Sequence, residues 1–203
     1  RAIRKANEAY NGYIFVVPQS DFTNDNISLN NLSKIGAMAK IKTVKNYENG
    51  IIKVTVTGIS RAQICSLYMQ EGVYYASLEL KEDIELSPEE EAAYVRTTAK
   101  TLENYIASAT PNIPKNVVDR LSKGIAASEF TDVLAQTFVK DPKRQIELLN
   151  ELNIGKRMEI CIAYLENEKQ IDKIENEISE KVRKKIDENQ REYYLREQIK
   201  AIS

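Results

Sequence analysis

The chain has 203 residues, of which 42% are hydrophobic and 29% charged; its 29 basic and 30 acidic side chains give a net charge of −1. That apolar content suffices for one or two folded domains, but the absence of histidine excludes a His-dependent catalytic triad and the His-containing zinc sites, and two cysteines are too few for an all-cysteine zinc site. The charges are balanced along the chain, with 10 basic and 8 acidic residues over 1–83, 10 and 12 over 84–165, and 9 and 10 over 166–203, so no region carries the basic excess of a nucleic-acid footprint.

Residues 2–10 fit a short helix that Asn11-Gly12 stops. Tyr13 to Val17 is an apolar, β-rich run closed by Pro18 and reads as a buried strand, and the polar stretch Ser20 to Asn31 reads as a surface loop. From Lys34 to Ile84 the pattern is β. Ile35 to Tyr47 forms one strand or a bent pair, and Glu48-Asn49-Gly50 supplies a hairpin turn because Asn-Gly tolerates positive φ. Ile52, Val54 and Val56 alternate with Lys53, Thr55 and Thr57, which predicts one buried and one wet face. Gly58 marks a bend or bulge before the strand Ile59 to Met69, Gln70-Glu71-Gly72 turns, and Val73 to Leu80 returns with Tyr74, Ala76, Leu78 and Leu80 on one face. Consecutive hairpins of this kind favour a small antiparallel barrel or a strongly curled sheet.

At Ile84 the period changes to 3.6. In Ser87-Pro88-Glu89-Glu90, Ser87 caps a helix, Pro88 suits its first position and Glu90 completes a capping box. Ala93, Val95, Leu102 and Ile106 then make an apolar side up to Ala109. Thr110 to Pro114 breaks the chain, and two shorter helices follow at Lys115–Ser122 and Glu129–Val139. Asp141-Pro142 starts a fourth helix, with Leu148, Leu149 and Leu152 on its apolar face. The last helix of this bundle does not stop. From Asn153 to Ile202 there is no proline and, after Gly155, no glycine. About fifty residues at ~1.5 Å each would reach ~75 Å, far beyond what this chain needs to cover its own core. The fold class is therefore α+β: a small antiparallel β-barrel-like domain (1–84), a helical bundle (85–165) and a very long helix (154–203) that must pack on something else.

Chemistry-bearing motifs are scarce. The one Gly-Lys pair, Gly155-Lys156, is followed by Arg157 and has no upstream glycine at phosphate-loop spacing. Composition leaves a Ser–Lys dyad open, though no motif surrounds any Ser or Lys. No apolar run is long enough to span a bilayer and no signal peptide opens the sequence, so no membrane association is expected. Cys65 and Cys161 fall in different domains and read as buried free thiols, which suits a reducing, cytoplasmic setting. The apolar line Ile171, Ile174, Ile178, Val182, Ile186 fits a strut packing on neighbouring domains better than a dimeric coiled coil, because nothing sustains the seam past Ile186. Lys40, Lys42 and Lys45 could form a basic strip for RNA, but they read better as a solvated edge strand. Lys181, Arg183, Lys184 and Lys185 are flanked by acids and read as a salt-bridged helix face. The adjacent Tyr193 and Tyr194 cannot share one helix face, so one of them is expected to meet a partner.

The stretch Gln190-Arg191-Glu192-Tyr193-Tyr194-Leu195-Arg196-Glu197-Gln198-Ile199-Lys200-Ala201-Ile202, with its lead-in Lys184-Lys185-Ile186, closely resembles the segment joining the amino-terminal region to the ATPase module in bacterial Lon proteases. Tyr13–Gln19, Ile35–Ile41 and Val54–Ala62 resemble the family's early strand, its next strand and its "V-V-x-G-x-x-R-A" turn, in the same order. The resemblance implies the amino-terminal substrate-recognition and assembly region of an ATP-dependent serine protease that degrades misfolded and regulatory proteins in the cytoplasm. It implies a homohexameric parent using ATP and Mg, and unfolded or damaged proteins as partners alongside the parent's own AAA+ and protease domains. No cofactor, metal or catalytic residue is expected in this stretch, nor nucleic acid as a partner. Arg191, Tyr193, Tyr194 and Leu195 are the candidate interdomain contacts. The family has a leading strand before the first helix, and its loss here would leave an open sheet edge that invites swapping or dimerisation.

Overall fold

A computed structural model describes residues 1–20, 27–46, 50–109, 113–122 and 124–202. The expected Glu48-Asn49 turn, half of the Ser20–Asn31 loop and the Thr110-Pro111-Asn112 break lie outside the described residues. Helix α1 (Ala2–Ala9) leads into β1 (Tyr13–Val16), and a 3-10 turn at Leu29–Asn31 precedes the sheet strands β2 (Ile35–Asn46), β3 (Ile52–Gln70) and β4 (Val73–Lys81). Helices α2 (Pro88–Ala109), α3 (Lys115–Ser122), α4 (Ala127–Phe138), α5 (Pro142–Asn150) and α6 (Ile154–Ile202) follow.

Local chemistry accounts for the junctions. Asn11 and Gly12 both take positive φ, and the Gly12 N–H closes onto the Ala6 carbonyl at 2.8 Å, which ends α1. Glu71 and Gly72 also take positive φ, giving the two-residue hairpin between β3 and β4 the twist that matches its strands. The 3-10 turn within the expected loop is held by Ser28, whose N–H and hydroxyl both donate to Asn31 Oδ1. Ser87 and Glu90 form the predicted capping box: the Glu90 N–H donates to Ser87 Oγ at 3.3 Å, and the Ser87 N–H donates to Glu90 Oε2 at 3.1 Å. At α5, Asp141 accepts from the Lys143 N–H at 3.0 Å with Pro142 at the first position.

The sheet is an antiparallel meander in the order β1-β2-β3-β4, so β1 and β4 are its edges. β1 is half exposed rather than buried, with Tyr13 at 44% and Val16 at 47%, because an edge strand has a neighbour on one side only. What reads as two strands around Gly58 is one 19-residue strand, with a register slip at Gly58–Ile59 and another at Cys65. β1 reaches only as far as Lys40 of β2, so the outer half of β2 and the start of β3 project as a two-stranded ribbon. The alternation of Ile52, Val54 and Val56 therefore buries no face: Ile52 and Val56 remain exposed, because no described residue covers the ribbon. Lys42 and Lys45 lie on this ribbon, whereas Lys40 sits over the Tyr13 ring and donates to the Asn11 carbonyl.

The main core is helical. Leu102, Tyr105, Phe130, Leu134, Phe138, Leu148, Met158, Cys161 and Leu165 form one cluster from α2, α4, α5 and the first three turns of α6. Tyr105 meets Phe138 edge-on, with ring centroids 6.1 Å apart. The helix begun by Pro142 does not run on: it stops at Asn150, and Ile84 pairs with Asn153 across the break before α6 starts. Gly155 lets the first turn of α6 lie against Leu86 and Tyr94, which a β-carbon there would meet at 3.1 and 3.2 Å. Cys161 is buried and its thiol is pushed up to about 12 by loss of water, while Cys65 is exposed rather than buried because it is the unpaired residue of a bulge. Among the described residues no helix is long and apolar enough to cross a membrane.

Two substitutions test this account. A β-carbon on Gly36 would stand 2.5 Å from the Phe15 ring and 2.5 Å from the Val16 carbonyl, so Gly36→Ala must push β1 away from β2; thermal melting is expected to show a loss of about 1–3 kcal/mol. Ser87→Ala is expected to cost ~1 kcal/mol through the lost cap. The hydrogen bonds from Ser87 hold the Glu90 carboxyl below its usual value, so the contribution of Glu90 is present above the ordinary Glu range and is lost as pH falls through the depressed value. An NMR titration should find Glu90 moved back up in Ser87→Ala.

Candidate functional site

An apolar groove of about 470 Å³ runs across one face of the sheet beneath α1. Its walls are the two edge strands: Tyr13, Ile14 and Phe15 from β1 on one side, and Val73, Tyr74, Tyr75, Ala76 and Leu78 from β4 on the other. Met38, Ile64 and Leu67 form its floor, and Ala2, Lys5, Ala6 and Tyr10 of α1 its roof. The floor depends on a bulge. Cys65 is skipped in the β3–β4 ladder, so Ile64 pairs with Leu78 and Leu67 with Ala76, and all four face the groove. Simple alternation would have put Ile64 and Leu67 on opposite faces, which is why the sequence hides this surface. Of the predicted β4 face, Tyr74, Ala76 and Leu78 line the groove, whereas Leu80 lies outside it at 66% exposure.

The groove has a tyrosine-rich mouth. Tyr68 stacks on Tyr75 at 5.4 Å and Tyr10 tilts against Tyr75 at 6.3 Å, so α1 and the β3–β4 hairpin meet through aromatic rings. Tyr10, Tyr68, Met69 and Tyr74 stay 44–63% exposed. Lys5 is the one charged side chain lining the groove among the described residues. Such a surface offers apolar area and ring faces with no fixed pattern of donors. It suits an extended polypeptide segment with large apolar side chains better than a small polar metabolite.

The second unusual surface is the distal part of α6. From Lys173 onward every residue with a described side chain is exposed, and the apolar line Ile171, Ile174, Ile178, Val182, Ile186 lies 41–55% open. Tyr193, Tyr194 and Leu195 continue this exposure at 69%, 62% and 50%. Tyr194 accepts a hydrogen bond from Gln198 at 2.9 Å, and Arg196 pairs with Glu192 at 2.7 Å. The structure thus places Arg191, Tyr193, Tyr194 and Leu195 together on the last turns of the helix, far from the groove in the chain and on a different element. The basic run Lys181, Arg183, Lys184, Lys185 makes no ion pair among the described residues, whereas Arg196 and Lys200 on the same exposed helix do, so the salt-bridged face expected of the run is not formed.

The family model described as the ATP-dependent protease La (LON) substrate-binding domain matches residues 1–167. The Lon protease of Buchnera aphidicola subsp. Baizongia pistaciae is 30% identical over 192 residues, which is 95% of this chain and 24% of that protein. The Lon protease of Escherichia coli K12 is 29% identical over 189 residues, 93% of this chain and 24% of that protein. The chain thus spans about a quarter of the length of these curated relatives. Among solved structures, the N-terminal domain of Mycobacterium avium complex Lon protease superposes with a TM-score of 0.66 over 81% of this chain and 83% of that one, at 19% identity, a likeness of fold.

Proposed function

Because this chain belongs to the family of LON substrate-binding domains, we propose that its sheet captures exposed apolar segments of unfolded or damaged proteins and that its long helix delivers them toward an ATPase ring. The groove between the edge strands carries this reading: its apolar lining and aromatic mouth match the side chains that folded proteins hide and unfolded ones expose. In this reading the sheet portion (1–84) is the recognition domain and the helical portion (85–165) is its mount. The helix over 154–203 is the strut, with Arg191, Tyr193, Tyr194 and Leu195 as contacts to the following module.

The parent would be a cytoplasmic, homohexameric, ATP- and Mg-dependent serine endopeptidase, with its own AAA+ and protease domains as partners of this region. Six weak sites on one ring would act at high effective concentration, so each needs only modest affinity. The exposed apolar line of α6 supports the strut: five β-branched side chains left half open are suited to cover by neighbouring parts of an assembly.

The test is titration of a fluorescently labelled, permanently unfolded protein against this chain, beside its folded counterpart, with molar mass followed by light scattering. Selective, micromolar binding of the unfolded form is expected. Tyr74→Asp, which charges the groove wall at a half-exposed position, should weaken it at least tenfold, about 1.4 kcal/mol, with no change in melting. Equal binding of folded and unfolded forms, or an unaffected Tyr74→Asp, would sink the groove as the recognition surface.

A further inference from the structure

The apolar cores of the two halves do not merge. The helical cluster draws its buried members from residues 102–165, while the buried apolar residues of the sheet side are the separate set Ala6, Leu32, Ile35, Ala39 and Ala62. The side chains that tie them across the seam are polar. Arg61 of β3 donates to Asp132 of α4 at 2.6 Å, to the Leu149 carbonyl of α5 at 3.2 Å, and stands 3.7 Å from Asp83 in the connection after β4. Arg157, in the first turn of α6, pairs with the same Asp83 at 2.7 Å and the same Asp132 at 3.3 Å. Ser128 donates to Asp83 and accepts from Arg157 at 3.2 Å. Two arginines therefore share two aspartates, and the four side chains come from the sheet, the connection, the bundle and the root of the long helix.

We infer that this quartet is the joint that sets the angle between the sheet and the long helix. Three observations carry it. The Arg157 side chain is 1% exposed, yet its Nε has no hydrogen-bond partner among the described residues, where two aspartates and Ser128 hold the buried guanidinium. A cavity of about 610 Å³ opens along the same seam, lined by Arg61, Asp83 and Asp132 beside the apolar Ile59, Ala135 and Leu149, so apolar side chains along it face open space. Among the described residues further hydrogen bonds cross here: Asn150 joins Ser33 at 2.7 Å and the Ile35 N–H at 3.1 Å, and Ile84 pairs with Leu152 and Ile154. Such a charge network adds little net stability, but Arg157, the member whose side chain is 1% exposed, favours the register in which its buried charge stays paired. A polar seam of this kind otherwise permits relative motion of its two sides.

The position of Arg157 gives the joint its leverage. Over the 49 residues of α6, at ~1.5 Å per residue, a tilt of about 5° at the root displaces the tip by ~6 Å. Whatever the sheet binds, a disturbance at Arg61 reaches α6 through Asp83 and Asp132 without passing through the apolar core. The joint stands whether or not the groove is the recognition surface.

Cys65, exposed on β3, and a second thiol introduced by Lys181→Cys on the open part of α6 accept spin labels, while Cys161, 1% exposed, does not. Pulsed dipolar spectroscopy on the labelled chain should give one narrow distance. Asp83→Asn and Arg61→Gln should each broaden it at least twofold, with helix content by circular dichroism unchanged. If Asp83→Asn loses its fold, Arg61→Gln decides. Distances as narrow as those of the parent chain overturn the joint. So does loss of helix content in both variants, since the quartet would then belong to the core of the fold.

Discussion

Everything distal in this molecule depends on how the first three turns of α6 are buried. Ile154, Met158, Cys161 and Leu165 recur at the 3–4 spacing of a helix face and sit at 7% exposure or less among α2, α4 and α5. Starting a helix is unfavourable and extending one is nearly neutral, so a root nucleated by packing lets the remaining residues follow by propagation. The same burial fixes the direction in which the helix leaves the bundle. Gly155 sits at this root, where a β-carbon would meet the Leu86 and Tyr94 side chains at 3.1 and 3.2 Å and make them give by a few tenths of an ångström.

The sheet obeys a different logic. It has little buried volume of its own, and three register irregularities bend it: at Lys42, where Ile41 and Thr43 take consecutive partners, at Gly58–Ile59 and at Cys65. A bulge adds twist and bends its strand. A four-stranded meander bent this way brings its first and last strands around a common concavity without pairing them, and α1 closes the top. The groove is therefore a consequence of curl rather than of a dedicated loop. Its apolar character is the inner face of a sheet whose edges do not meet.

Much of this was legible in the sequence where the signal is local. The Ser87 box, the Asp141-Pro142 start, the Asn11-Gly12 stop and the Glu71-Gly72 turn each rest on one or two residues acting through their own backbone, and all four stand in the structure. The irregular features were less visible. Skipping Cys65 exchanges faces after it, so a period-two reading misplaces Ile64 relative to Leu67. The arginine quartet was invisible for another reason: Arg61, Asp83, Asp132 and Arg157 are far apart in sequence, and a charged residue in a chain that is 29% charged carries no mark of burial. Thr98 likewise hides at zero exposure by donating to the Tyr94 carbonyl at 2.7 Å, so a polar residue sits on a face where only apolar ones were sought.

The distal helix draws these threads together. Its exposed apolar line, Ile171 to Ile186, steps by three and then by four, a spacing that drifts round a straight helix instead of tracing a coiled-coil seam. A stripe that drifts meets different neighbours at different heights. That suits a strut passing several surfaces of an assembly in turn, and it suits a self-pairing dimer poorly. At the far end Tyr193 and Tyr194 point in different directions from adjacent positions, so the last turns present aromatic surface on more than one side. In the proposed strut the root is held rigidly against the bundle and set at one angle to the sheet. The apolar packing of Met158 and the shared aspartates of Arg157, one residue apart, supply these two properties at the same turn.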